Sequence, residues 1–492
     1  MSSPVKISFK SFIKIDRRKK EAIYMQIVYQ FINAVKSNLL EQGDQLPGSR
    51  KIATELQVHR QTVIAALEEL QEQGWVKMQA NLGTFVKNPE IYSKQNEVKK
   101  TFQQPPKKAS YHFRKEFILD SPLDEHQEKF YFTDGTPDAR VISTEELGRF
   151  YSSVMRRKKN QSTVFNTDKS KLFFKNQLSY YLNLSRGFHL SRDYLLPITS
   201  LEQVHSILAR LLINSGDMVL VEEYSYFLSN MIFNQAGAQI KTTPIDAEGM
   251  DVEYIRKHFK PGEIRFVYLN TRSQYPTTKT LSEQRRKQLL RLAKAYDFII
   301  IENDIDFEFS ILNKKESLLS LDGADRVIYI GSFGRFLNPG FQMNFIIAAE
   351  DFLEEAAKYL NVYGKPDIMM KKALGELIHQ GDIHRYQRKS KKVIAERKEG
   401  FAKLLDLYFK NQITFEVPDS GLAFWIQFKK FFSLTELQKK AKEKELFIPR
   451  ICLYQDKKIR ALRLGFAHFN QQEMETAIET LAQAYLEVLD KN

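Results

Sequence analysis

Apolar residues recur at every fourth position at Ile23, Ile27, Phe31, Val35 and Leu39. That spacing lines one face of an α-helix and predicts a helix that stops at Gly43. Asp44 to Gly48 reads as a turn, and Ser49 is placed as the N-cap of a short second helix with Ile52, Ala53 and Leu56 facing inward. After a break at Gln57, Val58 and His59, a third helix is predicted from Arg60, with Val63, Ala66, Leu67 and Leu70 inward. Arg60, Gln61 and Thr62 remain at its exposed start, and Gly74 ends it. Trp75 to Met78 and Asn81 to Val86 then read as two short strands around a turn.

The pattern lapses from Asn88 to about Glu128, where Gln103-Gln104-Pro105-Pro106-Lys107-Lys108 is polar and favours extended backbone. This predicts a domain over residues 1–90, a linker over 91–128 and a large domain over 129–492. In the last of these, short unbroken apolar runs alternate with helical patterns: Met218–Val221, Phe266–Leu269, Phe298–Ile301, Val327–Ile330 and Phe345–Ala348. Strands covered on both faces look like this. The expected fold is α/β with a mainly parallel sheet, its functional residues clustered at the strand ends.

Composition narrows the function classes. Of 492 residues 43% are hydrophobic, enough to fold without staples, and the single cysteine, Cys452, excludes an intramolecular disulfide. The nine histidines form no cluster with cysteine at metal-binding spacing, so no metal is expected. No signal core or membrane-length apolar run is apparent, and the expected location is the cytoplasm, away from any membrane. The net charge is +14, and residues 1–120 hold 20 Lys+Arg against 12 Asp+Glu, so the first quarter carries most of the excess. Such an asymmetry suits a nucleic-acid-binding end.

Helix, helix, helix and hairpin is the element order of a winged helix-turn-helix. Residues Ile23 to Lys87 resemble the GntR family of bacterial regulators, through Leu46-Pro47, the Ser49-to-Ala53 segment, Arg60-Gln61-Thr62-Val63 opening the third helix, and a Gly83-Thr84-Phe85-Val86 wing. His59 departs from the serine usual there, and Ile52 from the frequent leucine. The resemblance implies double-stranded DNA as a partner. His59, Arg60, Gln61 and Thr62 are the candidates for base edges, with Arg50, Gly83 and Thr84 at the backbone.

The large domain resembles fold-type I aminotransferases, and the whole chain resembles the MocR-type regulators, in which such a domain follows a GntR winged helix. The landmarks are Gly135-x-Pro137-Asp138, Gly216-Asp217, Gln274-Tyr275-Pro276-Thr277, Glu302 to Phe309, Gly331-Ser332-Phe333 and Arg463 to Ala467. The resemblance implies a pyridoxal phosphate pocket in which the residues that matter most have changed. Arg335 stands at the position of the imine-forming lysine, and a guanidinium offers no neutral amine to an aldehyde. Asn303 replaces the aspartate at the pyridine nitrogen, Ile305 a tyrosine, and Gln342 a phosphate-binding arginine. Tyr226 matches the ring-stacking aromatic, Ser332 a phosphate contact and Arg463 the substrate-carboxylate arginine. Tyr226 is equally readable as packing, Arg463 as an internal salt-bridge partner, and Arg335 as a solvated residue or an anion site.

The expectation is a DNA-binding regulator that is not an enzyme and holds no covalent cofactor. Its large domain is expected to serve as a dimerisation or ligand-sensing module, in a homodimer that responds to a small-molecule effector. The alternatives are a regulator that retains pyridoxal phosphate noncovalently and an active pyridoxal phosphate transaminase. His379 and His384, five apart, do not align on one helix face and are read as structural.

Overall fold

A computed structural model of the chain describes residues 8–19, 21–80, 82–88, 108–109, 111–120, 126–156, 167–310, 316–322, 325–338, 343–363, 368–455 and 458–490. The chain divides into two compact units, Met1–Arg114 and Lys115–Asn492. Most of the 91–128 segment read as a linker lies outside the described residues, as does Gln342.

In the first unit α1 (Phe9–Phe12), α2 (Ile23–Lys36), α3 (Ser49–Leu56) and α4 (Arg60–Glu72) surround one core. Phe9, Phe31, Ile52, Val63, Ala66 and Leu70 are buried in it. The strands β1 (Gln45–Leu46), β2 (Val76–Gln79) and β3 (Gly83–Val86) form an antiparallel sheet in the order β1-β3-β2. Two expectations are corrected. Helix α2 ends at Lys36, because Asn38 turns to a positive φ of 56°, so Leu39 leaves the apolar face and is exposed. Ser49 is the first helical residue of α3, with Gly48 in the capping position and no side-chain cap; its Oγ instead accepts from Arg60 Nε at 3.3 Å.

The second unit is built on a seven-stranded sheet. Its strands are β4 (Leu195–Ile198), β5 (Met218–Glu222), β6 (Gln239–Thr243), β7 (Ile264–Asn270), β8 (Ile299–Asp304), β9 (Val327–Phe333) and β10 (Met343–Ile347), in the order β4-β10-β9-β8-β7-β5-β6. Only β10 runs antiparallel to its neighbours, as the pairings Tyr329↔Ile347 and Asn344↔Ile198 define. Its other pairs are parallel. The apolar runs of the sequence are its central strands. The two edge strands were not predicted: β4 contains Pro197 and β6 reads Gln-Ile-Lys-Thr-Thr, and an edge tolerates both because one side needs neither donors nor apolar cover.

A smaller antiparallel sheet follows: β11 (Ile413–Phe415), β12 (Ala423–Phe428), β13 (Leu453–Gln455) and β14 (Arg460–Gly465), in the order β11-β12-β14-β13. Residues Phe117–Leu119 form a short turn that packs against the helix Phe227–Gln235. The end of β14 is tied to the segment carrying Asp134, since Gly465 N–H donates to Thr133 O at 2.8 Å. A Cβ on Gly465 would lie 2.4 Å from Thr133 Oγ1, 2.7 Å from Thr133 O and 2.8 Å from Gly135 N. Two of those three atoms are backbone and cannot rotate aside. Gly465→Ala should therefore push the 133–135 segment away and destabilise the second unit by about 1–3 kcal/mol. A lowered melting temperature of the full chain checks this, and an unchanged one contradicts it.

Candidate functional site

Helix α4 begins with Arg60 and Gln61 exposed and Thr62 half-buried. His59 sits at its N-cap, where Nδ1 accepts from Gln61 N–H at 3.3 Å. The inward residues Val63, Ala66, Leu67 and Leu70 anchor the helix, so its polar start projects from the fold. Arg50, on α3, is exposed. The wing turns at Gly83, whose φ of 113° suits glycine, and Gln45 Nε2 donates to Leu82 O at 2.8 Å to hold that tip. Thr84 is half-buried on β3. The seven residues marked as DNA candidates thus lie on α3, α4 and the wing of one small unit.

In the second unit, a cavity of about 600 Å³ opens at the ends of β7 and β8. Of the residues singled out in the sequence, Tyr226, Asn303, Ile305, Arg335 and Arg463 line it together. Ser332 does not; it is buried in β9, and its Oγ has no hydrogen-bond partner. Several lining residues were not picked out as site residues, among them Asp134, Glu202, Asn270, Arg272, Asp304 and Asp306. Asp134 adjoins the Gly135 landmark, and Asp304 and Asp306 lie inside the Glu302-to-Phe309 motif, so position gave a signal for these three. Nothing in the sequence marked Glu202.

Burial forces the charges to pair. Arg335 Nη1 is 2.6 Å from Asp306 Oδ1, and the guanidinium lies over the Phe309 ring at 5.2 Å. It is therefore neither solvated nor unpaired. Its backbone N–H and that of Gly334 donate to Glu308 at 3.1 and 3.0 Å. Arg463 lies 3.1 Å from Asp134, donates from Nη1 to Pro276 O at 2.9 Å and covers the Tyr275 ring at 4.9 Å. Arg272 lies 2.9 Å from Asp304, which also accepts from Tyr329 Oη at 2.8 Å. Beneath the floor, Asn303 Nδ2 donates to Tyr268 Oη at 2.8 Å, and Tyr268 Oη is 3.0 Å from His205 Nε2.

Several acids here keep their protons well above the ordinary carboxylate range. Burial raises Glu222 to about 8 against one backbone donor, Asn270 N–H, and raises Glu308 to about 7. Asp134 rises to about 6, with burial outweighing Arg463 beside it. Burial holds His205 down to about 3. His379 and His384 pack against Phe173 and Tyr181 rather than meeting in a site. Among the described residues no group of three or more metal-ligating side chains comes together, and no helix is long and apolar enough to cross a membrane.

Comparison with known proteins separates the same two parts. Residues 23–86 match the gntR family of bacterial regulatory proteins, and residues 151–481 match aminotransferase class I and II. The chain is 25% identical over 477 residues to the uncharacterized HTH-type transcriptional regulator YdfD of Bacillus subtilis, covering 96% of this chain and 98% of that protein. It is 22% identical over 479 residues to a probable rhizopine catabolism regulatory protein, MocR, of Rhizobium meliloti, covering 96% and 95%. An archaeal alanine:glyoxylate aminotransferase superposes with a TM-score of 0.65 at 23% identity, over 73% of this chain and 91% of that one. Kynurenine aminotransferase of Pyrococcus horikoshii gives 0.64 at 21%, over 75% and 92%.

The raised acids set a pH dependence. Folding raises the proton affinity of Glu222, Glu308 and Asp134, so the folded state binds more protons than the unfolded one, and stability is lost as pH rises through about 6 to 8. His205 acts in the other window, below its ordinary 6.5. Glu222→Gln keeps an acceptor for Asn270 and removes the titration. Its melting temperature should gain on wild type as pH rises from about 6.5 to about 9. Parallel profiles for the two proteins would refute this.

Proposed function

The chain belongs to the aminotransferase class I and II family and, through its gntR-type domain, to the MocR-type transcription regulators, and from this premise we propose that it binds operator DNA as a homodimer whose aminotransferase-like unit senses a ligand without catalysing transamination. The observation that carries this reading is the Arg335–Asp306 ion pair. A transaminase needs at that point an amine able to lose its proton and attack an aldehyde, and a guanidinium held by a carboxylate has none to offer.

The other residues of the cavity fit covalently held pyridoxal phosphate no better. Asn303 gives its amide donor to Tyr268, and with no carboxylate it cannot hold a ring nitrogen protonated. Ile305 supplies no hydroxyl, and no lysine is among the lining residues described. Ser332 Oγ, a phosphate contact in the family, is buried outside the lining.

DNA binding is assigned to the first unit. The exposed start of α4, with His59, Arg60, Gln61 and the neighbouring Thr62, reads base edges, while Arg50 and the wing at Gly83 and Thr84 meet the phosphates. Self-association is supported by Tyr180 and Leu184, one helical turn apart and 66% and 73% exposed on the helix Thr167–Arg186.

Binding to a selected operator across a salt series tests this reading. Arg60→Ala or Gln61→Ala should cost about 1–3 kcal/mol and relax base preference. Arg50→Ala should weaken binding to every sequence and lower the salt dependence by about one counterion. Residues 1–90 alone should bind a half-site much more weakly than the full chain binds its paired site. If the Arg60 and Arg50 variants both bind like wild type, the first unit is not the DNA reader.

A further inference from the structure

Among the described residues, the aminotransferase-like cavity carries one more acid than its cations match. Its three guanidiniums, Arg272, Arg335 and Arg463, each face one aspartate: Asp304, Asp306 and Asp134 respectively. The fourth lining acid is Glu202. It is exposed at the cavity, and among the described residues no Lys, Arg or His lies within salt-bridge distance of it; its one hydrogen bond comes from Ser200 Oγ at 2.7 Å.

Glu202 also decides what the nearest helix terminus can do. The helix Leu201–Leu212 starts at the cavity wall, with Ser200 as its N-cap and Glu202 in its first turn. A helix N-terminus facing a pocket ordinarily favours an anion. Here the N-cap hydroxyl is spent on the protein's own carboxylate, and Ser200 Oγ also accepts from Gln203 N–H at 3.1 Å. A phosphate at this terminus would meet a like charge.

The opposite demand is visible on other elements. Ser273, 5% exposed, lines the cavity with an Oγ that has no hydrogen-bond partner. Asn270 lines it too, and its Oδ1 is buried and likewise without a donor. A buried acceptor left without a donor is unfavourable, and a ligand N–H relieves it. Tyr226 lines the same cavity, its hydroxyl pushed up first by burial and then by Asp134 and Glu202.

We propose that the cavity binds a small ligand carrying one ammonium group and no phosphate, with the ammonium neutralising Glu202 and donating to the free acceptors on Asn270 and Ser273. The claim rests on the ligand-sensing reading above and narrows it: a net-cationic amine is recognised through ion pairing and hydrogen bonds, with no covalent bond made or broken. The three arginine–aspartate pairs stay intact and shape the walls, while the unmatched carboxylate selects the charge.

A series matched in chain length tests this on the full-length protein. Melting temperature and calorimetric binding are measured with aminobutanol, butanediol, succinate and inorganic phosphate. Aminobutanol should stabilise the protein saturably, and the diol, succinate and phosphate should bind at least about tenfold more weakly or not at all. Glu202→Gln should weaken aminobutanol binding about threefold or more without lowering the melting temperature of the free protein. Glu202→Lys should abolish amine binding. Ser273→Ala should weaken it independently of Glu202. Tighter binding of succinate or phosphate by wild type would overturn the ammonium assignment while leaving a ligand-sensing cavity in place. Binding of none of the four would overturn both the assignment and the sensing role, and operator binding would still report separately on the DNA unit.

Discussion

Pairing buried guanidinium with buried carboxylate is the constraint around which the second unit is organised. An arginine taken out of water costs several kcal/mol unless a carboxylate meets it and its remaining N–H groups find acceptors. At the cavity that condition is met one for one by Arg272–Asp304 and Arg335–Asp306, which tie together strand ends of the large sheet, and by Arg463–Asp134, which ties β14 of the small sheet to the 133–135 segment. A layer deeper, Arg286 repeats the arrangement with Glu302 at 3.8 Å and donates to the carbonyls of Leu281, Thr271 and Glu316. These pairs fix the loops that form the cavity, and they give each of its described cations a structural partner. A wall built this way can bind and discriminate, and none of its guanidiniums offers a neutral amine to an aldehyde.

The same logic explains why the acids that lack a matching cation behave differently. Glu222 and Glu308 are fully buried, with backbone donors as their closest support, and both are pushed up to about 8 and about 7. They hold the backbone at Asn270 and at Gly334–Arg335 through hydrogen bonds. Protonation, rather than ion pairing, is how the interior accommodates them. Glu202 is the exception among the cavity acids. It is exposed at the cavity, with Ser200 Oγ as its hydrogen-bond donor among the described residues.

Much of this was legible in the sequence because its strongest signals are periodic or local. The four-residue spacing from Ile23 marks a helix with one buried face, and the apolar runs at 218–221 and 327–330 mark strands whose burial is close to complete and which must be apolar throughout. Arg335 and Asn303 were legible because they sit inside continuous motifs. What the sequence hid depends on contacts distant along the chain. Asp134 and Arg463 are 329 positions apart, and nothing in either segment declares their pairing. Glu202 looks like any first-turn helix acid until the fold turns that helix toward the cavity. Strand β6 was missed because an edge strand needs no apolar alternation, and the end of α2 was misjudged because Leu39 continues the spacing beyond the residue where the backbone turns.

Whether the cavity can hold a covalent cofactor depends on the chemistry available at position 335. Full-length protein, incubated with stoichiometric pyridoxal phosphate, reduced with borohydride and weighed intact by mass spectrometry, answers this directly, because an imine to a primary amine of the chain becomes a stable adduct that peptide digestion can locate. The mass should be that of the unmodified chain, with no visible absorption band lost on reduction. A stoichiometric phosphopyridoxyl adduct mapped by peptide digestion to a lysine of the second unit would contradict it, since the cavity would then hold the nucleophile that the Arg335–Asp306 pair is argued to replace.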